Sequence, residues 1–336
     1  MFRSILLLLL SLVFFSCTQN DEVNIYSSRH YDTDLELFDK FTEETGISIN
    51  LIEGSSDELI ERINSEGINS PADVVITVDA GRLWRAKEAD VLQPYDSDFL
   101  DERIAPELRD EDGYWVGLSR RVRSIIYSTD RVNTDDLEGY YELADEKWEG
   151  RVCVRSSNNI YNQSLVASMI ESHGLEDAEQ WASGLVSNFA RSPQGGDTDQ
   201  ILAVAAGLCD VAIANHYYYG RLVNSSDSED QEVVEDLDIY FPSAEYGGAH
   251  VNISGAGIAA NSPNRDNAIA FIEFLATEEA QEIYAIGNME FPILEDMELP
   301  SVLEMMGEFE SDAVNVTSYG NNNPDAIRLM DRVDWR

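Results

Sequence analysis

The chain is poor in cysteine, in histidine and in positive charge. Its three cysteines form no Cys-x-x-Cys pair and no Cys/His spacing of the zinc type, which argues against a structural zinc site. Only 22 Lys and Arg stand against 64 Asp and Glu, a formal charge of −42. Such a surface repels nucleic acid and anionic membranes. High charge alone would suit disorder, but 43% of residues are hydrophobic and recur with regular periods. The chain therefore reads as a folded protein with an acidic, solvated surface. GxSxG and HExxH are both missing, and no Ser/His/Asp set has a recognisable spacing, which disfavours a secreted hydrolase. No apolar run reaches the ~20 residues of a membrane-spanning helix.

One shorter run is informative. Ile5–Phe15 is almost wholly apolar, follows the basic Met1–Phe2–Arg3 and ends at Ser16–Cys17. This pattern predicts a secretory signal peptide over residues 1–16. The small residue before Cys17 suggests a lipoprotein signal, with Cys17 lipidated and residues 17–22 as a polar tether. Cys153 and Cys209 each stand beside an apolar run that reads as a strand, Val152–Arg155 and Asp210–Ala214. In an oxidising compartment they can bridge, and two buried free thiols fit the spacing as well.

Apolar periodicity alternates between strand and helix along the chain. Strands are expected at Val23–Tyr26, Ile47–Ile52, Asp73–Thr77, Val152–Arg155 and Val211–Ala214, with extended stretches at Tyr114–Tyr127 and Ile253–Ala260. Helices are expected at Asp34–Thr45 (stopped by Gly46), Leu59–Glu66, Gly81–Ala89, Tyr161–His173, Asp197–Ala206 and Ala268–Ala276. Alternation of this kind implies parallel sheets covered by helices, and the length implies two α/β lobes. The acidic run Asp227–Asp238 lacks the glycine turn of a calcium loop and reads as a solvated loop.

Ligands of open α/β sheets bind at the carboxyl ends of strands. Three polar segments fall there: Ser27–Asp32, Ser156–Gln163 and Asn215–Tyr219. Each offers tyrosine, and the last holds three in a row, Tyr217, Tyr218 and Tyr219. A strand would send alternate tyrosines to opposite faces, whereas a loop or first helical turn can aim two neighbours into one site. Phenol oxygens are hard donors that become anionic when a trivalent cation displaces their proton. Packing aromatics with a wet hydroxyl tip would show the same residues.

The runs NIYSSRHYDTD, PADVVITVDAGRL, WEGRVCVRSSNNIYNQSLVASMI and ANHYYYGRL occur in this order along the chain. Together with GAGIAANSPNRDNAIAFIEFLATEEAQ they resemble the periplasmic ferric-iron-binding proteins of ABC importers, in the tyrosine-rich branch known from cyanobacteria. The resemblance implies an α/β, two-lobed periplasmic binding protein of type II, each lobe a mixed sheet flanked by helices, joined by a two-strand hinge. It implies an N-lobe of 23–121 plus 254–289 and a C-lobe of 122–253 plus 290–336. It further implies Fe(III) as cargo, bound between the lobes by His30, Tyr31, Tyr161, Tyr217 and Tyr218, with Tyr219 not a ligand. Val78 stands where another branch carries a ligating glutamate, and Asp79 beside it is expected to face another way. Arg29, Arg121 and Arg123 are candidates to offset charge or hold an anion such as carbonate; the choice between Arg121 and Arg123 stays open. His173, His216 and His250 match no motif and are expected at the surface or behind the ligands. The partner implied is an inner-membrane ABC permease, served by a monomer that is not an enzyme. The alternative is a binding protein for another solute, such as an oxyanion, polyamine or sugar; organic cargo would need a larger apolar pocket with few convergent polar groups.

Overall fold

The computed structural model describes residues 21–336. The signal-peptide and Cys17 expectations lie outside the described residues. The chain begins with β1 (Glu22–Ser27), α1 (Asp32–Thr45), β2 (Ser48–Glu53), α2 (Ser56–Glu66), β3 (Val74–Val78), α3 (Ala80–Glu88), β4 (Leu92–Gln93), α4 (Asp98–Arg103) and the long β5 (Trp115–Ser128). It continues with β6 (Val152–Cys153), α5 (Ile160–His173), α6 (Leu175–Ser187), α7 (Asp197–Ala205), β7 (Val211–Asn215), α8 (His216–Val223), α9 (Ser228–Val234) and β8 (Leu237–Tyr240). It ends with β9 (Val251–Ala259), α10 (Arg265–Leu275), α11 (Glu278–Asn288), α12 (Ser301–Met305) and α13 (Thr317–Arg332).

Two domains share two strands. β1 pairs in parallel with β2 and β3, and β3 pairs antiparallel with β9. β9 pairs antiparallel with the first half of β5, residues 115–122. From Arg123 onward β5 instead pairs with β7, then also with β8, and β7 pairs in parallel with β6. The sheets are therefore mixed, as the resemblance implied, and the parallel sheets read from alternation alone are corrected. Helix-strand alternation sets only neighbouring units; it is blind to β9, which returns late in sequence to lie between β3 and β5.

Packing explains the element ends. Gly46 caps α1 at φ 76, a left-handed conformation that costs glycine nothing. Phe41 packs edge-on against Phe271 at 5.1 Å, fixing α1 to α10. The acidic segment from Asp227 is not a plain loop: Asp227 caps α9 through the Glu229 amide, and β8 follows. The strand expected at Val152–Arg155 stops at Cys153. Helix α13 was not expected, because TSYGNNNPDAIRLMDR is rich in residues that favour loops. Its small residues instead allow close packing: a Cβ on Gly320 would lie 2.0 Å from Trp84 Cγ.

Cys153 at the end of β6 is bridged to Cys209 just before β7, with Cα atoms 5.9 Å apart. The bridge closes a separation of 56 residues. Replacing both cysteines by serine should lower unfolding stability by about 2–4 kcal/mol, measured by denaturant titration against the oxidised wild type.

Candidate metal centre

Three short strand-to-helix junctions build the site. At the first, β1 ends at Ser27 and Tyr31 stands at the N-cap position of α1 in extended conformation. At the second, the Asn159 side chain accepts the Tyr161 amide at 3.0 Å, so Tyr161 lies in the first turn of α5. At the third, β7 runs directly into α8, and the tyrosine triplet occupies a helix rather than a strand. Successive residues on a helix turn by about 100°. The Tyr217 and Tyr218 rings stay in contact, with centroids 4.5 Å apart and planes tilted by 37°. Tyr219 turns away and donates to the Leu237 carbonyl at 3.0 Å.

Arg121 sits at the centre of the phenols. Its Nη2 donates to Tyr161 Oη at 3.2 Å and to Tyr217 Oη. Asn215 Nδ2 also reaches Tyr217 Oη, at 3.0 Å. The Tyr31 ring lies 5.0 Å from the Arg221 guanidinium, which also covers Tyr217 at 5.1 Å and Tyr218 at 5.9 Å. Tyr31, Tyr161, Tyr217 and Tyr218 are thus brought together around two guanidinium groups. His30 is not among them. Its ring is 58% exposed, and its Nδ1 lies 3.1 Å from Glu53 Oε1.

The electrostatics follow from burial and charge. Burial pushes the Tyr217 hydroxyl well above its ordinary range and moves Tyr218 up to about 12. Burial also opposes ionisation of Tyr161, but the Arg121 charge, a hydrogen bond with Tyr217 and the Arg82 charge together outweigh it and lower that phenol. Tyr217 and Tyr218 therefore hold their protons until a stronger charge arrives, whereas Tyr161 gives one up more readily. A guanidinium has no lone pair, so Arg121 and Arg221 can offset phenolates without competing as ligands.

The three arginines singled out in sequence differ in their surroundings, although Arg29 and Arg121 both pair with Glu290. Arg29 is buried between Asp34 at 2.9 Å and Glu290 at 3.1 Å. Arg123 is bound by Asp197, Asn215 and Asn162 at 2.6, 3.0 and 2.8 Å. Of the pair left open, only Arg121 hydrogen-bonds the phenols, and its Nη1 meets no acceptor among the described residues. His216 and His250 are fully buried, whereas His173 lies on the surface against Tyr141. Burial depresses His216 to about 4, so it stays neutral, its Nδ1 accepting the Val122 amide at 3.1 Å.

Three residues escaped sequence reasoning. Arg221 lies one helical turn after Tyr217, a spacing that puts both on one face and could have flagged it. Glu290, reached from residue 29 across most of the chain, left no local signal. Asp79 was expected to face away; its carboxylate instead points inward, lining a cavity of about 10 Å³ with Arg121, Arg123, Tyr161, Asn215, His250 and Asn252. A larger concavity of about 780 Å³, between Glu278 and Pro300, is lined mostly by carboxylates and includes none of the tyrosines. Size alone therefore does not find this site. Among the described residues no group of three His, Cys, Asp or Glu could hold a metal ion.

The chain is similar in sequence and structure to known proteins. The chain is 52% identical over 320 residues to iron uptake protein A2 of Synechocystis, covering 95% of this chain and 91% of that protein. A Trichodesmium structure in complex with iron and citrate ligands superposes with a TM-score of 0.92 at 53% identity, over 94% of this chain and all of that one. The ferric binding protein from Campylobacter jejuni gives 0.87 at 39% identity, again over 94% and 100%. A family model for bacterial extracellular solute-binding proteins matches residues 36–312, and the chain belongs to that family.

Proposed function

We propose that this protein binds Fe(III) between its two domains and delivers it to an ABC permease, with no catalytic role. The observation that carries this is the convergence of Tyr31, Tyr161, Tyr217 and Tyr218 on Arg121 and Arg221. Tyr31 follows a strand of the first sheet; the other three follow β6 and β7 of the second. Full coordination then needs both domains, so metal stabilises the closed arrangement. Four phenolates leave a ferric centre with one net negative charge, which the two arginines offset. His30 would complete the ligand set on leaving Glu53, and an anion such as carbonate would lie on Arg121. The cavity behind the phenols is far too small for an organic solute, which needs some 300 Å³ or more. The relatives named above carry iron in their descriptions, which supports the same cargo.

The domains in this reading are 23–121 plus 254–289 and 122–253 plus 290–336, hinged where β5 and β9 change partners. The protein would act as a monomer in the periplasm, anchored through a lipid on Cys17. Titrating apo-protein with Fe(III) should raise a visible phenolate-to-iron band that saturates at one equivalent, and Fe(II) under reducing conditions should not. Acid should bleach the band, because protons compete for every phenolate. A colourless ferric titration would refute the assignment.

A further inference from the structure

Asp79 has an unusual backbone and an unusual set of partners. It follows β3 at φ 80 and ψ 122, a conformation that L side chains rarely adopt. A residue held so must be fixed by its surroundings. Its Oδ1 accepts the Gly81 amide at 2.9 Å and the Ser164 hydroxyl at 2.7 Å. Its Oδ2 accepts Asn252 Nδ2 at 2.9 Å. Asn252 in turn cannot flip, since its Oδ1 takes the Ala80 and Ile253 amides at 2.9 and 2.8 Å. One carboxylate thus links three pieces: the start of α3, the shared strand β9, and α5.

The link to α5 matters because α5 carries Tyr161. Ser164 lies three residues beyond Tyr161 on the same helix face. The helix starts also abut closely: a Cβ on Gly81 would stand 3.3 Å from Ile160 Cδ1. The helix that carries Tyr161 is therefore tied through Ser164 to Asp79.

We infer that Asp79 is a positioning residue for iron capture: by holding Ser164 across the domain boundary it locks the Tyr161-bearing helix in its coordinating place. This rests on the proposed ferric function. Asp79 touches no metal in this scheme; it acts by making the closed arrangement cheaper to hold, so its loss should speed iron release without changing the ligands.

The test is a double-mutant cycle on ferric-loaded protein, reading the rate of band loss to an excess of chelator. Ser164→Ala should release iron about ten times faster or more, the scale of losing a buried bond to a charged acceptor. Its band position should match wild type, because the four phenolates remain. The melting temperature of its apo form should change little. Asp79→Gly keeps the backbone conformation available and removes the carboxylate. In that background Ser164→Ala should add nothing further. A Ser164→Ala rate equal to wild type, or additive effects of the two substitutions, overturns the inference. Should Asp79→Gly fail to fold, the Ser164→Ala rate decides alone. Wild-type protein that forms no ferric band overturns the function and this inference together; a normal wild-type band with an unaltered Ser164→Ala rate overturns only the inference.

Discussion

Glu290→Gln should destabilise the apo-protein by about 3–5 kcal/mol, the usual cost of breaking a buried ion pair from one side. Glu290 is wholly buried, pairs with the charges of Arg29 at 3.1 Å and Arg121 at 3.4 Å, and accepts the Ser119 hydroxyl. The amide would leave two buried guanidinium groups short of counter-charge. Burial alone would push this carboxyl up, yet the two arginines outweigh it and hold it at about 2. Its ordinary value is 4.5, so the stability it contributes is complete above about pH 4.5 and is lost as pH falls toward 2. The amount is on the order of 3 kcal/mol. Denaturant titrations at neutral pH and across that acid window check both points. Wild type should lose stability there, and Glu290→Gln should lose less.

Tyr217→Phe should weaken ferric binding by more than a hundredfold. Outer partners of metal ligands already cost about 10–100-fold when removed, and a lost ligand should exceed that. The substitution keeps ring and volume, so the fold should survive. It leaves Arg121 and Asn215 without their shared acceptor, at about 1–3 kcal/mol of apo stability. Spectral titration should show the visible band shifted or absent. His30→Ala makes the contrast, since imidazole is not the chromophore: affinity should fall while much of the band persists. Tyr219→Phe should leave both unchanged, because its hydroxyl serves only the Leu237 carbonyl.

Local pattern carried the reading wherever one element decided the outcome. Val23, Ile25, Val74 and Ile76 are fully buried strand residues, and their apolar runs announced them. The tyrosines were legible because strand-end polar segments stand out against apolar neighbours. Long-range pairing was not legible. The Arg29–Glu290 contact joins residues 261 apart, and no local period encodes it. Helix α13 stayed hidden because its Gly320 and Asn321 serve a tight fit against Trp84, which only the tertiary structure reveals. The choice of Arg121 over Arg123 was equally closed to sequence. Side chains two apart on a strand share a face, so only their partners tell them apart.

The late return of β9 to the middle of its sheet governs how the protein can be made. A nascent chain that stops short of residue 251 has β3 and β5 with no strand between them. Both edges stay unpaired, and the junction carrying Tyr31 has no fixed relation to the one carrying Tyr217. Such long-range closure is slow for a folding chain. Synthesis order therefore postpones assembly of the metal site until most of the polypeptide exists. An exported chain of this topology would cross the membrane before it could capture iron, and a truncated product would lack the means to compete for the metal.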